Sequence, residues 1–163
     1  MNIVLASSPL VGANALVGLA EALRRFEIDA RLPDVPYDLD SFWVSVASEV
    51  DPKSVVVGFS AAGPRLFELA HRARPRALVF LDARLPADGV APDDEPRFAE
   101  VLDTLPLDDD GRLPPWPLWW PSEVMARLIP DQSLRLDVTR SCPSVPRSLF
   151  SEAIPAPLYD GPC

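Results

Sequence analysis

The stretch that decides the fold is Ser54–Gly63, which reads SVVVGFSAAG. Its first six residues, Ser54–Phe59, are largely apolar and β-branched without polar alternation, which predicts a strand buried on both faces. Ser60 follows this strand directly, and Pro64 stands where the first turn of a helix tolerates a missing N–H. An apolar stripe then continues the helical pattern at Leu66, Phe67 and Ala70. The stretch therefore predicts a buried strand that turns sharply into a helix.

Small residues surround Ser60 at this predicted turn: Gly58 and Ala62 lie two positions to either side, and Gly63 follows. A turn this sharp holds its central residue in strained backbone geometry, at a cost of about 1–3 kcal/mol. We interpret the match to G-x-S-x-small as a nucleophile elbow, which holds a serine hydroxyl above the carboxyl edge of the sheet. The alternative is an ordinary serine N-cap after a Rossmann-like strand. A phosphate-binding loop is disfavoured because neither G-x-G-x-x-G nor G-K-[ST] is present.

Strand and helix patterns alternate on both sides of this stretch. Short apolar runs predict further strands at Asn2–Ala6, Ile28–Leu32 and Ala77–Leu81. Helical patterns begin at Asn14 and span Ser41–Glu49. This alternation predicts an α/β fold with a mostly parallel sheet and helices on both faces.

Residues 88–160 differ in character from residues 1–87, which we assign to the α/β core. Asp88–Gly111 is acidic and loop-like, and prolines and tryptophans crowd together after Leu113. Short, proline-bounded helices are expected at Ser122–Leu128, Asp131–Val138 and Val145–Ala153. Such a segment suits a small helical lid, rich in Trp and Pro, rather than a second core.

The composition narrows the classes of partner. Hydrophobic residues make up 48% of the 163 residues and charged ones 24%, the balance of an ordinary globular domain. The formal charge of −9 repels phosphate backbones and anionic lipids, so we expect neither nucleic acid nor a membrane as a partner. Cys142 and Cys163 form no disulfide framework or metal spacing, and we expect no cofactor. Without a secretory leader or a membrane-spanning run, the expected location is the cytoplasm.

The chain resembles the compact bacterial proteins of the α/β-hydrolase family, whose elbow often reads G-H-S-x-A-G. The resemblance extends from Asn2 to about Pro86 and continues more weakly through the tryptophan-rich residues. It implies that Ser60 is the nucleophile and that the backbone amide of Ala61 is one oxyanion donor.

The chain departs from the family pattern at two places, the loop after the first strand and the residue before Ser60. Ser8-Pro9 replaces the usual His-Gly in the loop that supplies the second oxyanion donor, and because Pro9 has no N–H we expect that donor at the Leu10 amide. Phe59 replaces the common histidine before the nucleophile, which implies a changed pocket lining rather than changed chemistry.

Four more side chains are candidates for the site. Asp82 ends a buried strand at the same sheet edge as Ser60, where some relatives carry the triad acid; the alternative is an aspartate that caps its own loop. Trp116, Trp119 and Trp120 stand where the family has its lid and could line an apolar acyl pocket. An equally open alternative is that they only anchor the lid on the body.

A serine nucleophile needs a base, and the chain has one histidine, His71. It lies eleven residues beyond Ser60 in the following helix, about 16 Å along the helix axis, too far to reach the serine. The family places its histidine after the last strand, whereas this chain stops at Cys163, where IPAPLYDGPC suggests that the next buried strand begins. We therefore expect the C-terminal core strands and the histidine in a further segment or in a second, complementing chain.

These observations leave functions of different classes open. The first is a serine hydrolase that acts on an ester, thioester or lactone of an apolar small molecule, with Ser60 attacking the carbonyl. The alternatives are a non-hydrolytic lyase or cyclase, and a small-molecule-binding protein that has lost its triad. The same fold serves all three.

Overall fold

A computed structural model of the protein describes residues 2–33 and 39–163. Four strands form one sheet in the order β2-β1-β3-β4, and every neighbouring pair is parallel. The strands are β1 (Asn2–Ala6), β2 (Asp29–Arg31), β3 (Ser54–Phe59) and β4 (Ala77–Leu81). The predicted strands at β1, β3 and β4 are confirmed with the same bounds, and β2 is shorter than predicted.

Three helices alternate with these strands: α1 (Val17–Arg25), α2 (Leu39–Ser48) and α3 (Leu66–Ala73). Ala20 of α1 packs with Leu5 on one face of the sheet. Val46 of α2 and Leu66 of α3 pack with Val56 on the other face. The predicted α/β fold, a parallel sheet with helices on both faces, is confirmed.

The outer strand β4 is buried on one face only. Leu78 is fully buried on the side of α2 and α3, whereas Val79 and Leu81 on the opposite face are 42% and 37% exposed. At the outer edge of β4, the amide of Leu78 donates to the carbonyl oxygen of Pro162 at 3.0 Å. Tyr159 packs against the core cluster that contains Leu78. The C-terminal residues thus lie against β4 on the side away from β3.

The Trp/Pro-rich segment, residues 88–160, contains more structure than the sequence indicated. It holds α4 (Pro96–Thr104), α5 (Ser122–Leu128), α6 (Gln132–Ser141) and an antiparallel pair of short strands, β5 (Arg112–Leu113) and β6 (Val145–Pro146). The helix predicted at Ser122–Leu128 is confirmed, and the one predicted from Asp131 begins one residue later and runs to Ser141.

Two expectations for this segment are wrong. Asp88–Gly111 is not simply a loop, because α4 lies within it and begins with Pro96 at a position where proline favours helix initiation. The helix expected over Val145–Ala153 is instead β6 followed by a 3₁₀ turn at Arg147–Phe150. Pro146 disfavours helical geometry at Val145, and the pairing of Val145 with Leu113 of β5 holds this start extended.

The Trp/Pro-rich segment also buries a hydrophobic cluster, contrary to the expectation of a lid without its own core. Its buried members from this segment are Leu102, Leu113, Trp119, Val145, Leu149 and Phe150. The ring of Phe150 makes edge contacts with Phe98 and Trp119, at centroid distances of 5.5 and 5.7 Å. Leu10, from the loop after β1, is buried in the same cluster and joins the segment to the α/β core.

None of the helices in the two described stretches combines the length and the apolarity that crossing a bilayer requires.

Candidate active site

The turn after β3 holds Ser60 in a left-handed backbone conformation. Its φ is 53°, a region that non-glycine residues rarely adopt. A 3₁₀ turn spans Ser60–Arg65 and leads into α3, and Phe59 rather than Ser60 occupies its N-cap position. No side-chain hydrogen bond caps this turn. The geometry fits the strand–turn–helix elbow and disfavours the serine N-cap alternative.

Two glycines make room for this turn. A Cβ at Gly58 would lie 2.6 Å from Cδ1 of Leu66 in α3. A Cβ at Gly63 would lie 2.6 Å from Cβ of Ala83 and 2.7 Å from the carbonyl oxygen of Arg84. Since real Cβ atoms do not approach other atoms so closely, a side chain at Gly58 would displace Leu66, and one at Gly63 would displace the backbone at Arg84.

Ser60 opens onto a cavity of about 240 Å³ between the sheet edge and the Trp/Pro-rich segment. Six of the residues that the sequence predicts for the site line this cavity: Leu10, Ser60, Ala61, Asp82, Trp116 and Trp119. Further aromatic lining comes from Trp43, Phe98 and Phe150. The cavity therefore offers mainly apolar lining next to a serine hydroxyl, the kind of lining that small apolar ligands bind.

Two expected lining residues lie elsewhere, so their assignment to the pocket is corrected. Phe59 packs with Leu5 and Val57 on the α1 face of the sheet, because side chains alternate along β3. Trp120 packs against the hydrophobic cluster of the Trp/Pro-rich segment, and its buried indole N–H has no hydrogen-bond partner within the described residues. Trp116 and Trp119 share a face because residues three apart eclipse each other in a 3₁₀ turn.

Asp82 lies beside Ser60 at the carboxyl edge of the sheet. Phe59 of β3 is paired with Leu81 of β4, and the next residues are Ser60 and Asp82. Asp82 is also left-handed, with a φ of 46°. Within the described stretches its carboxylate makes no hydrogen bond or ion pair, which does not support the loop-capping alternative. Asp82 and Ser60 thus line the same cavity from neighbouring strand ends.

The two expected oxyanion donors differ in their surroundings. Ala61 is the second residue of the 3₁₀ turn, where backbone N–H groups have no partner within the turn. The amide of Leu10, in contrast, donates to Oγ of the buried Ser8 at 3.2 Å. Ser7 Oγ donates to the carbonyl oxygen of Gly12 and closes the same loop. The Leu10 amide must therefore share or release its bond to Ser8 before it can hold an oxyanion.

His71 is exposed on α3 and does not line the cavity, as the helical spacing predicts. Since it is the chain's one histidine, no imidazole from these residues reaches Ser60. Cys142 is a buried thiol outside the cavity, and burial raises its pKa to about 11, so it is protonated at neutral pH. Among the side chains that the structure describes, the carboxylate, thiol and imidazole groups form no cluster of three or more suited to a metal ion.

Sequence reasoning missed three charged residues that line the cavity: Arg65, Arg84 and Glu95. Nη1 of Arg84 donates to the carbonyl oxygen of Pro92 at 3.1 Å and lies 3.7 Å from a carboxylate oxygen of Glu95. The position of Arg84, just beyond the end of β4, could have signalled its place at this edge. Arg65 lies at the end of the turn that begins with Ser60.

Neither a family model nor a curated protein matches the sequence. The structure, however, is similar to solved ones. One is an extracellular α/β-hydrolase from a Paenibacillus species, described as sharing structural and functional homology with tobacco Salicylic Acid Binding Protein 2. It matches with a TM-score of 0.73 and 16% identity, over 96% of this chain and 72% of that chain. The fold is that of the α/β-hydrolases.

A second similar structure is a histidine-to-alanine mutant of polyneuridine aldehyde esterase. It matches with a TM-score of 0.67 and 13% identity, over 92% of this chain and 70% of that chain. At these identities the likeness concerns the α/β-hydrolase fold, and the activity of this chain has to be argued from its own residues.

Proposed function

We propose that this chain carries the nucleophile of a serine hydrolase that cleaves an ester, thioester or lactone of an apolar small molecule. The observation that carries the proposal is the strained Ser60, which opens onto a mainly apolar cavity with Asp82 at the neighbouring strand end. The Trp/Pro-rich segment serves as the lid of that cavity, with Trp116 and Trp119 against the apolar part of the substrate.

In the proposed reaction, Oγ of Ser60 attacks the substrate carbonyl and transfers its proton to a base, and the alkoxide or thiolate leaves with a proton returned from that base. The tetrahedral oxyanion accepts a hydrogen bond from the Ala61 amide, and one from the Leu10 amide once its bond to Ser8 is shared or released. Water then attacks the acyl-serine by the same route and releases the acid. Asp82 orients the base.

The base is a histidine supplied by a polypeptide segment outside these 163 residues, either a further part of the protein or a second chain. The outer edge of β4 is where such a segment would dock. Leu78 already donates from this edge to Pro162. The backbone N–H and C=O of Phe80 also point away from β3, because successive residues of a strand direct these groups to opposite sides. Both similar structures are longer than this chain, which spans 72% and 70% of them.

A second function is favoured by the two incomplete parts of the site. No imidazole of this chain reaches Ser60, and the Leu10 amide is engaged by Ser8. Loss of the base from a working triad lowers the rate by a factor of about 10⁴–10⁶. A lyase, a cyclase or a catalytically degenerate binding protein would use the same apolar cavity without that base. The expected cytoplasmic location stays a prediction beside either function; one similar structure belongs to an extracellular protein.

The deciding experiment is the intact mass of the native protein before and after treatment with a fluorophosphonate. This reagent labels a serine efficiently only when base and oxyanion hole are assembled. We expect one adduct, on Ser60, on the native protein or its complex with a complementing chain, and none on the Ser60→Ala variant. A native protein of 17.8 kDa that gains no adduct would overturn the hydrolase proposal in favour of the second function.

A further inference from the structure

The otherwise apolar cavity contains four charged side chains, two cationic and two anionic: Arg65, Arg84, Asp82 and Glu95. Arg84 and Glu95 form an ion pair with each other at 3.7 Å, and Arg84 also donates to the Pro92 carbonyl oxygen. Their charges therefore offset each other at the cavity wall. Arg65 and Asp82 are left as the charges that a ligand can meet.

Arg65 is a half-buried cation whose ion pair leaves its hydrogen-bond donors available. Its side chain is 15% exposed, and its ion pair with Glu68 is 3.6 Å long, beyond hydrogen-bond distance. The other carboxylate oxygen of Glu68 accepts a hydrogen bond from Nη2 of Arg72 at 2.6 Å. One carboxylate thus serves two guanidinium groups, which leaves net positive charge beside the cavity. In the part of the chain that the structure describes, the five N–H donors of Arg65 make no hydrogen bond.

The position of Arg65 relative to Ser60 indicates where a ligand's charge would lie. The two residues begin and end the same 3₁₀ turn. Five residues at about 2 Å each separate their backbones by roughly 10 Å. Asp82 follows the paired strand end next to Ser60. Arg65 thus stands at the end of the turn far from Ser60, the residue beside which Asp82 lies.

We propose that Arg65 binds a carboxylate carried by the ligand of this cavity, so that the substrate is an apolar ester with a free acid group distant from the scissile bond. The ester part rests on the proposed hydrolase function, whereas recognition of the carboxylate does not. The planar guanidinium donates two parallel hydrogen bonds to a carboxylate, which satisfies donors that Glu68 leaves unused. Arg65 is thus a specificity residue rather than a catalytic one.

The test compares two probes of the same shape, 4-phenylbutyrate and its neutral amide 4-phenylbutyramide, by isothermal titration calorimetry on the full chain. We expect the carboxylate to bind at least about tenfold more tightly than the amide, because hydrogen bonds to charged groups are the strong ones. The Arg65→Gln variant should bind both probes equally. Glu68→Gln, which removes the competing carboxylate, should increase the preference severalfold.

Arg76→Gln is the matched control, because it changes the net charge equally at an exposed position before β4, at the opposite end of the sheet. It should keep the preference of the native chain. Absence of carboxylate binding at millimolar concentration, no preference in the native chain, or a preference that survives Arg65→Gln would each overturn the proposal.

The two proposals fail separately. If the native protein gains no fluorophosphonate adduct but still binds the carboxylate more tightly than the amide, the hydrolase proposal is wrong and the Arg65 proposal stands. If the protein is labelled but binds the carboxylate no more tightly than the amide, only the Arg65 proposal is wrong.

Discussion

Ser60 and Asp82 are non-glycine residues with left-handed backbones, at φ of 53° and 46°. Such conformations cost about 1–3 kcal/mol each and persist only where the surroundings hold them. Here the surroundings include a direct contact between the two turns, because Gly63 of one packs against Ala83 of the other. The hydroxyl and the carboxylate are therefore positioned by a shared packing contact and not only by their own strands.

This contact predicts a large effect of one methyl group. Gly63→Ala should lower the free energy of unfolding by about 1–3 kcal/mol, because overpacking forces backbone shifts. The new Cβ would lie 2.7 Å from the backbone oxygen of Arg84. Gly18→Ala in α1 is the control: its Cβ would meet nothing within 4 Å, and it should stabilise by about 0.5–1 kcal/mol. Urea denaturation measures both, and a Gly63→Ala variant as stable as the native chain would contradict the tight contact.

Among the secondary-structure elements, α4 shows how local composition misleads. Acidic residues and flanking prolines gave Asp88–Gly111 the signature of a loop, yet Phe98 and Leu102 of α4 reach the hydrophobic cluster. Pro96 was the local signal for a helix start. Arg147, in the 3₁₀ turn after β6, fixes this region through Asp93 at 2.9 Å and through Asp103 of α4 at 3.4 Å.

The two ion pairs of Arg147 should differ in strength. The Asp93 side chain is 18% exposed, and Asp93→Asn should lower the free energy of unfolding by about 1–2 kcal/mol, since it removes a partly buried charge-assisted bond. The Asp103 side chain is 73% exposed, and Asp103→Asn should change stability by less than about 0.5 kcal/mol. Thermal unfolding of both variants compares them directly. Equal losses of stability in the two variants would contradict the expectation that the less exposed ion pair is the stronger one.

In the molecule as a whole, the centre of the sheet is well covered and the outer strand β4 is covered less completely. The strands β1 and β3 are covered on both faces, whereas β4 leaves Val79 and Leu81 partly exposed and contacts Pro162 through a single described backbone bond at its edge. An edge strand of this kind is a template for another polypeptide. The asymmetry matches the proposed docking place of a histidine-bearing segment.

Hydrogen exchange tests this asymmetry. In the 163-residue chain the amide of Phe80, on the outer edge of β4, should exchange at least about tenfold faster than that of Val56 in the central strand β3, because local opening costs less at an edge. Binding of a complementing segment should slow Phe80 and leave Val56 unchanged. Equal protection of both amides in the isolated chain would indicate that the edge is already closed.

The sequence predicts those parts of the fold whose signal is local. The β3 run and the small residues beside Ser60 are contiguous, so strand, turn and helix could be read from neighbouring residues. Phe59 and Trp120 were misplaced because the facing of a side chain depends on strand alternation and turn type, which composition does not specify. The sequence does not predict a ligand-binding role for Arg65, since that role depends on the folded geometry in which Glu68 pairs with both Arg65 and Arg72.

The aromatic lining has a practical consequence. The chain has four tryptophans, and Trp43, Trp116 and Trp119 line the cavity. Indole emission changes in colour and intensity when water around the ring is replaced. The protein therefore contains its own optical reporter, and a library of compounds can be screened for cavity occupancy by fluorescence without attaching a dye.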